Sequence, residues 1–190
     1  GRQIAEDMHS LKIDINFAPV VDVNVHPETG SMKDRSFGPD KHLVAEYGSA
    51  FMRGMQDNGV IACAKHFPGH GDTATDSHHA LPVLDFPMER LDTLELYPFR
   101  KLMDDGVEMV MVGHLQVPAL DTLPASVSYN VITGLLRKKM NYDGIITTDA
   151  LNMKGVLAPF DGSYERATLG AYIAGADILL MPKHITESID

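Results

Sequence analysis

The stretch richest in groups able to move protons is Lys65-His66-Phe67-Pro68-Gly69-His70-Gly71-Asp72-Thr73-Ala74-Thr75-Asp76-Ser77-His78-His79, which holds four of the nine histidines. Pro68 has no N–H to donate and Gly69 disfavours a helix, so the stretch reads as a long loop. That decides against one use of His66 and His70. Their i, i+4 spacing matches a zinc-binding helix, but the Pro-Gly between them forbids the helix, and no metal is expected. Asp76-Ser77-His78 offers other chemistry. In an extended chain, side chains two apart point to the same side. The Asp76 carboxylate can then accept a hydrogen bond from one ring nitrogen of His78, leaving the other nitrogen to give or take a proton. A solvated polar loop with one or two satisfied histidines is the bland alternative, because an Asp-x-His triplet also arises by chance.

Asp149 is the second group of interest. It follows Gly144-Ile145-Ile146-Thr147-Thr148 directly. A carboxylate at the end of a buried apolar run is costly unless it is hydrogen-bonded or used. Two uses are open at this point: a nucleophile, or an N-cap for a following helix.

These groups need elements to position them. Short continuous apolar runs at 15–23, 60–66, 109–113, 144–148 and 177–181 are those of parallel strands covered on both faces. Helical periodicity fills the gaps at 42–57, 89–104, 131–140 and 164–174, with Leu43, Tyr47, Phe51 and Met55 along one face of the first. Asn58-Gly59, Asp105-Gly106 and Ala174-Gly175 supply helix stops. Strand alternating with helix predicts an α/β fold with a parallel sheet. Asp22, Lys65-His66, His114 and Asp149 each close or follow a different strand. Polar groups after successive strands describe the catalytic rim of a (β/α)8 TIM barrel. An open doubly wound sheet would gather them at one switch point, usually with a Gly-rich phosphate loop, and no such motif is present. About five parallel βα units cannot close that barrel, so residues 1–190 are expected to be part of one catalytic domain, with about three units outside them. The two ends agree with that expectation: Gly1 leads straight into a helical pattern, and 185–190 resemble the opening of another helix.

Composition narrows the partners. Apolar residues make up 44% and charged residues 22%, an ordinary globular balance. The net charge of −10 disfavours phosphate backbones and anionic lipid, so neither nucleic acid nor membrane surface is expected as a partner. No run is long and apolar enough to span a bilayer. The single cysteine, Cys63, lies in an apolar run and reads as a buried structural thiol.

Four separated motifs together resemble glycoside hydrolase family 3, in its NagZ-type β-N-acetylglucosaminidase branch. They are Phe17-Ala18-Pro19-Val20-Val21-Asp22-Val23, Arg35-Ser36-Phe37-Gly38, the stretch from Lys65 to Gly71 followed by Asp76-Ser77-His78, and Thr148-Asp149-Ala150-Leu151-Asn152-Met153-Lys154-Gly155. The Asp-Ser-His element is what separates this branch from the family's β-glucosidases. The resemblance implies Asp149 as nucleophile, and His78 with Asp76 as the acid/base pair. It further implies Asp22, Arg35, Lys65 and His66 as ligands of a terminal N-acetylglucosamine, with His114 and Met153 in the site wall. No cofactor is implied. The implied substrates are small carbohydrates, N-acetylglucosaminides derived from peptidoglycan or resembling chitin fragments, and the implied setting is the bacterial cytoplasm or cell envelope. Retention would follow from attack by Asp149 on one face and proton donation by His78 on the other. The rival readings are a sugar-binding or inactive truncated barrel, and a phosphorylase or β-glucosidase of the same family.

Overall fold

The computed structural model describes residues 1–26, 32–73 and 81–189. Its centre is a four-stranded sheet of β1 (Ile15–Asn16), β2 (Ile61–Phe67), β3 (Met109–Val112) and β4 (Ile145–Thr148), in that order and parallel throughout. Parallel neighbours in sequence order need a crossover between each pair. These crossovers are helical. α1 (Arg2–Ser10) precedes β1, and α2 (Lys41–Gln56) leads to β2. α3 (Met88–Thr93) and α4 (Leu96–Asp104) lead to β3, and a π-helix (Asn130–Lys139) leads to β4. α5 (Tyr164–Ala174) and α6 (Ile185–Ile189) follow.

The two faces of the sheet are covered differently, and this identifies the architecture. Ala62, Ala64, Val110, Val112 and Ile146 pack with Val44 and Met52 of α2, Phe99 and Leu102 of α4, and Ile132 and Leu136 of the π-helix. On the other face Cys63, Met109 and Met111 pack, among the described residues, against strand-borne or strand-flanking residues such as Ile61, Ile145 and Ile178. Helices outside and side chains from the strands themselves inside make this the wall of a TIM-type barrel rather than a sheet with helices on both faces.

The expected elements are present, with differences that have local causes. The first strand was expected over 15–23, but regular pairing stops at Asn16. Pro19 lacks an N–H, and the chain continues beside β2 through single bonds, from Cys63 N to Ala18 O (2.8 Å) and from Val21 N to Lys65 O (2.8 Å). At 177–181 the pairing is one bridge between Thr147 and Ile178, because Leu180 N donates to the Thr148 hydroxyl (3.1 Å) instead of a backbone carbonyl. The helix expected over 89–104 is two. Restarting at Leu96 places Pro98 in a first turn, where its missing N–H and its ring cost nothing. α2 buries Val44, Ala45, Gly48, Ser49, Met52 and Met55, while Leu43 and Tyr47 stay exposed. At Gly48 the helix lies too close to the strands for a side chain: a Cβ there would already stand 2.8 Å from Val21 Cγ1. Gly59, Gly106 and Gly175 take the left-handed cap conformation expected of them. No helix among the described residues is long and apolar enough to cross a membrane.

Candidate active site

Parallel strands end along one edge, so residues that finish successive strands become neighbours in space. Lys65 and His66 lie in the last residues of β2, His114 lies just beyond β3, and Asp149 directly follows β4. Asp22 lies two residues beyond Val20, which bridges Lys65. The Asp76–His78 pair lies outside the described residues.

Asp22 is the hub of this edge. It has no exposed surface. Its Oδ1 accepts from His70 N at 2.7 Å and His66 N at 3.2 Å, and its Oδ2 accepts from His66 Nδ1 at 2.7 Å. With Nδ1 donating to Asp22, Nε2 is the ring nitrogen that faces Arg35, whose Nη2 stands 3.4 Å from it. Burial pushes the Asp22 carboxyl up, but His66 and His70 outweigh it and hold the group below its ordinary value. One carboxylate thus fixes the tautomer of His66, orients Arg35 through it, and ties down the turn from 66 to 70.

The Arg35-Ser36-Phe37-Gly38 motif is held to the same strand. The Ser36 hydroxyl donates to Asp22 O at 2.6 Å, and Asn24 N donates to Gly38 O at 3.0 Å. Arg35 and Lys65 line a cavity of about 340 Å³ with Phe17, Val20, Phe37 and Phe51. Burial, then the adjacent Arg35 charge, pulls the Lys65 ammonium below its usual value. A larger hollow, about 870 Å³, opens at the opposite edge of the sheet beside Glu108, Tyr142 and Gly144. Size is therefore no guide to the chemistry here.

Asp149 is partly buried, with Oδ1 accepting from Ala150 N at 2.8 Å. Burial pushes its carboxyl up, but His66, His114, the Ala150 N–H and Lys65 together pull it below the ordinary carboxylate value. At neutral pH it is an anion that accepts from the Ala150 N–H. No regular helix starts there. The next element is a short 3-10 turn, Lys154–Val156, which removes the helix-cap explanation of Asp149. Met153 is buried and its N–H donates to Ala150 O at 3.0 Å. His114 has no exposed surface; its Nε2 donates to Ala150 O at 2.9 Å, and the Ser126 hydroxyl donates to its Nδ1 at 2.7 Å.

Beneath the 66–73 turn sits a charged cluster that the sequence did not announce. Arg90 Nη2 is 2.9 Å from both Asp72 Oδ2 and Glu95 Oε1, and His26 Nε2 is 3.0 Å from Asp72 Oδ1. Glu95 is buried, and burial raises its carboxyl despite the Arg90 charge. Gly71 fits closely above: a Cβ there would stand 2.1 Å from Val23 O. Nothing in the pattern around Glu95 or Arg90 marks them, since lone charges in a helical stretch usually face water.

A barrel wall carrying an ionised carboxylate, a lysine and fixed histidines on its C-terminal rim is the layout of a barrel enzyme. The chain belongs to glycosyl hydrolase family 3, matching that family's N-terminal domain over residues 1–190. It is 38% identical over 200 residues to Beta-hexosaminidase A of Pseudoalteromonas piscicida, covering 98% of this chain and 33% of that protein. Among solved structures, a glycoside hydrolase family 3 beta-N-acetylglucosaminidase from Paenibacillus sp. str. FPU-7 is 44% identical with a TM-score of 0.91, over 98% of this chain and 35% of that one. A beta-glucoside phosphorylase superposes with the same TM-score of 0.91 at 25% identity, over 97% of this chain and 34% of that one. The chain spans about a third of the length of each of these proteins.

Proposed function

We propose that the protein carrying this chain is a retaining β-N-acetylglucosaminidase, with residues 1–190 forming part of its catalytic barrel domain. The observation that carries the reading is Asp149: a carboxylate on the C-terminal rim, held below its ordinary value by surroundings that include His66, the Ala150 N–H and Lys65. Such a group can attack an anomeric carbon and leave as a carboxylate. His78, oriented by Asp76, protonates the departing glycosidic oxygen and then removes a proton from the incoming water. Lys65, Arg35 and His66 hold the hydroxyls and acetamide of a terminal N-acetylglucosamine. Asp22 supports them from below, Met153 completes the wall, and His114 lies buried behind it. The hexosaminidase and beta-N-acetylglucosaminidase relatives support this substrate class, with peptidoglycan-derived or chitin-like oligosaccharides as the natural forms.

The test uses the full-length protein and 4-nitrophenyl β-N-acetylglucosaminide, following the first-formed sugar by NMR. The β anomer is expected first, at a rate indifferent to phosphate. The α anomer first would exclude retention. Turnover that requires phosphate and yields a glycosyl phosphate would make the protein a phosphorylase, as one structural neighbour is named. No turnover would leave the barrel as a sugar-binding module.

A further inference from the structure

We infer that His114 and Ser126 form a positioning pair for the nucleophile, and that neither binds sugar. The inference rests on Asp149 being the nucleophile, as proposed above. Both side chains have no exposed surface, so neither reaches a ligand in the cleft. What they do reach is the residue that holds Asp149.

The tautomer of His114 follows from its partners. A backbone carbonyl only accepts, so the contact to Ala150 O at 2.9 Å requires the hydrogen on Nε2. In a neutral ring Nδ1 is then an acceptor, and the Ser126 hydroxyl at 2.7 Å must donate to it. Burial keeps the imidazole neutral by pulling it below its usual value. Ser126 is itself fixed: it sits in a short 3-10 turn, Ala125–Val127, whose Ala125 N donates to Leu115 O at 2.8 Å. The chain of contacts runs from Ser126 through His114 to Ala150, whose N–H donates to Asp149 Oδ1 at 2.8 Å. Met153 N holds the same carbonyl from the other side at 3.0 Å. With two donors on that carbonyl the 150–151 peptide is pinned, which narrows the swing left to the adjoining 149–150 peptide whose N–H is aimed at the carboxylate. A carboxylate pre-set in this way loses no orientation when it attacks.

The test is made in the full-length enzyme with four variants. His114→Met keeps the bulk and removes the donor. It is expected to lower kcat about 10-fold with KM within about twofold, the worth of one well-placed hydrogen bond used in the transition state. His114→Gln puts an amide N–H near the place of Nε2 and should recover most of that loss. Ser126→Ala frees the ring to change tautomer and is expected to lower kcat about 3-fold, with Ser126→Thr restoring it. Raised KM at unchanged kcat in His114→Met would overturn the inference and return His114 to the sugar-binding wall. Equal losses in His114→Met and His114→Gln would overturn it too, since only the donor distinguishes them. Should the His114 variants not fold, the Ser126 pair decides. Nitrogen-15 NMR of the imidazole gives a reading independent of turnover: protonated Nε2 is expected, and a protonated Nδ1 refutes the pair outright. An inactive wild type would sink the proposed function, whereas that spectrum would still judge the geometry.

Discussion

Replacing Asp22 by Asn swaps one acceptor oxygen for an NH2 and removes a charge, and the surroundings give the amide no good orientation. His70 N donates to Oδ1 and His66 Nδ1 donates to Oδ2, each at 2.7 Å. Whichever way the amide turns, its NH2 meets one of these donors. Turned toward the imidazole, it forces His66 to carry its hydrogen on Nε2, directly against the Arg35 guanidinium 3.4 Å away. Turned toward His70 N, it leaves a buried backbone N–H unpaired. A hydrogen bond to a charged group contributes about 1.5–3 kcal/mol and an unsatisfied buried donor costs about 1–3 kcal/mol, so the variant should lose about 3 kcal/mol with partial relaxation. Urea unfolding of the full-length protein at neutral pH measures this as a lower midpoint at constant slope. KM for the N-acetylglucosaminide should rise at the same time, because Arg35 and His66 lose their fixed relation. The pH dependence has a definite sign. Asp22 is held below its ordinary value, so its contribution is complete above about pH 4 and disappears as pH falls through the lowered folded value. Wild type and variant should converge in acid. A stability change under about 1 kcal/mol at neutral pH would show that Asp22 is not the hub described.

Asp149→Ala should abolish turnover of all substrates, whereas His78→Ala should cost about 10²–10⁴-fold on poor leaving groups and spare glycosylation by activated aryl glycosides. Azide should restore turnover in the second variant and give a β-glycosyl azide; an unchanged rate on natural disaccharide would remove His78 as the acid. Arg90→Met removes the ion-pair partner of the buried Glu95 and leaves Asp72 with His26, and should destabilise the protein by about 2 kcal/mol at pH 7, less than a fully buried pair because Arg90 is one-third exposed. Burial raises the Glu95 carboxyl, so the neutral form is favoured in the fold and the deficit should shrink as pH drops toward 4.5, measured by urea unfolding at both ends. Gly71→Ala drives a methyl group into Val23 O and should cost more than about 3 kcal/mol, or displace the turn and raise KM; an unaltered Tm and KM would contradict the close approach.

The strand–helix alternation was legible because each strand is a short apolar run and three of the four expected helices have a glycine stop. The sheet edge could be read from the residue after each run, which is how Asp149, His114 and Lys65-His66 came forward. The π-helix could not be read. Its buried residues Val131, Ile132, Leu135 and Leu136 fit a period of 3.6 as well as a wider one, so the pattern does not separate the two windings. The exposure of Leu43 and Tyr47 was hidden for another reason: hydrophobicity marks a face, but how closely a helix can approach is set by its smallest residues, here Gly48. Ser126 and Glu95 were invisible because each has its meaning in a partner distant in the chain or in burial that no local pattern signals. Asp22 was picked out as the end of a strand, but its role as a clasp for His66 and His70 exists only once the turn has folded over it.

Cys63 faces the barrel interior with no exposed surface, and burial pushes its thiol far above the usual value. Only the thiolate reacts with alkylating reagents, so in the closed state this sulfur is chemically silent. Labelling can proceed only through openings that peel β2 away from β1 or β3. With a single cysteine in these 190 residues, the alkylation rate of this segment is a clock for that event. Where closing outruns labelling, the ratio of that rate to the rate for an unfolded peptide gives the opening equilibrium directly. A sugar that binds the rim only in the closed state should slow the clock by a factor of one plus the ratio of its free concentration to Kd, so the slowing keeps growing with concentration past half-saturation.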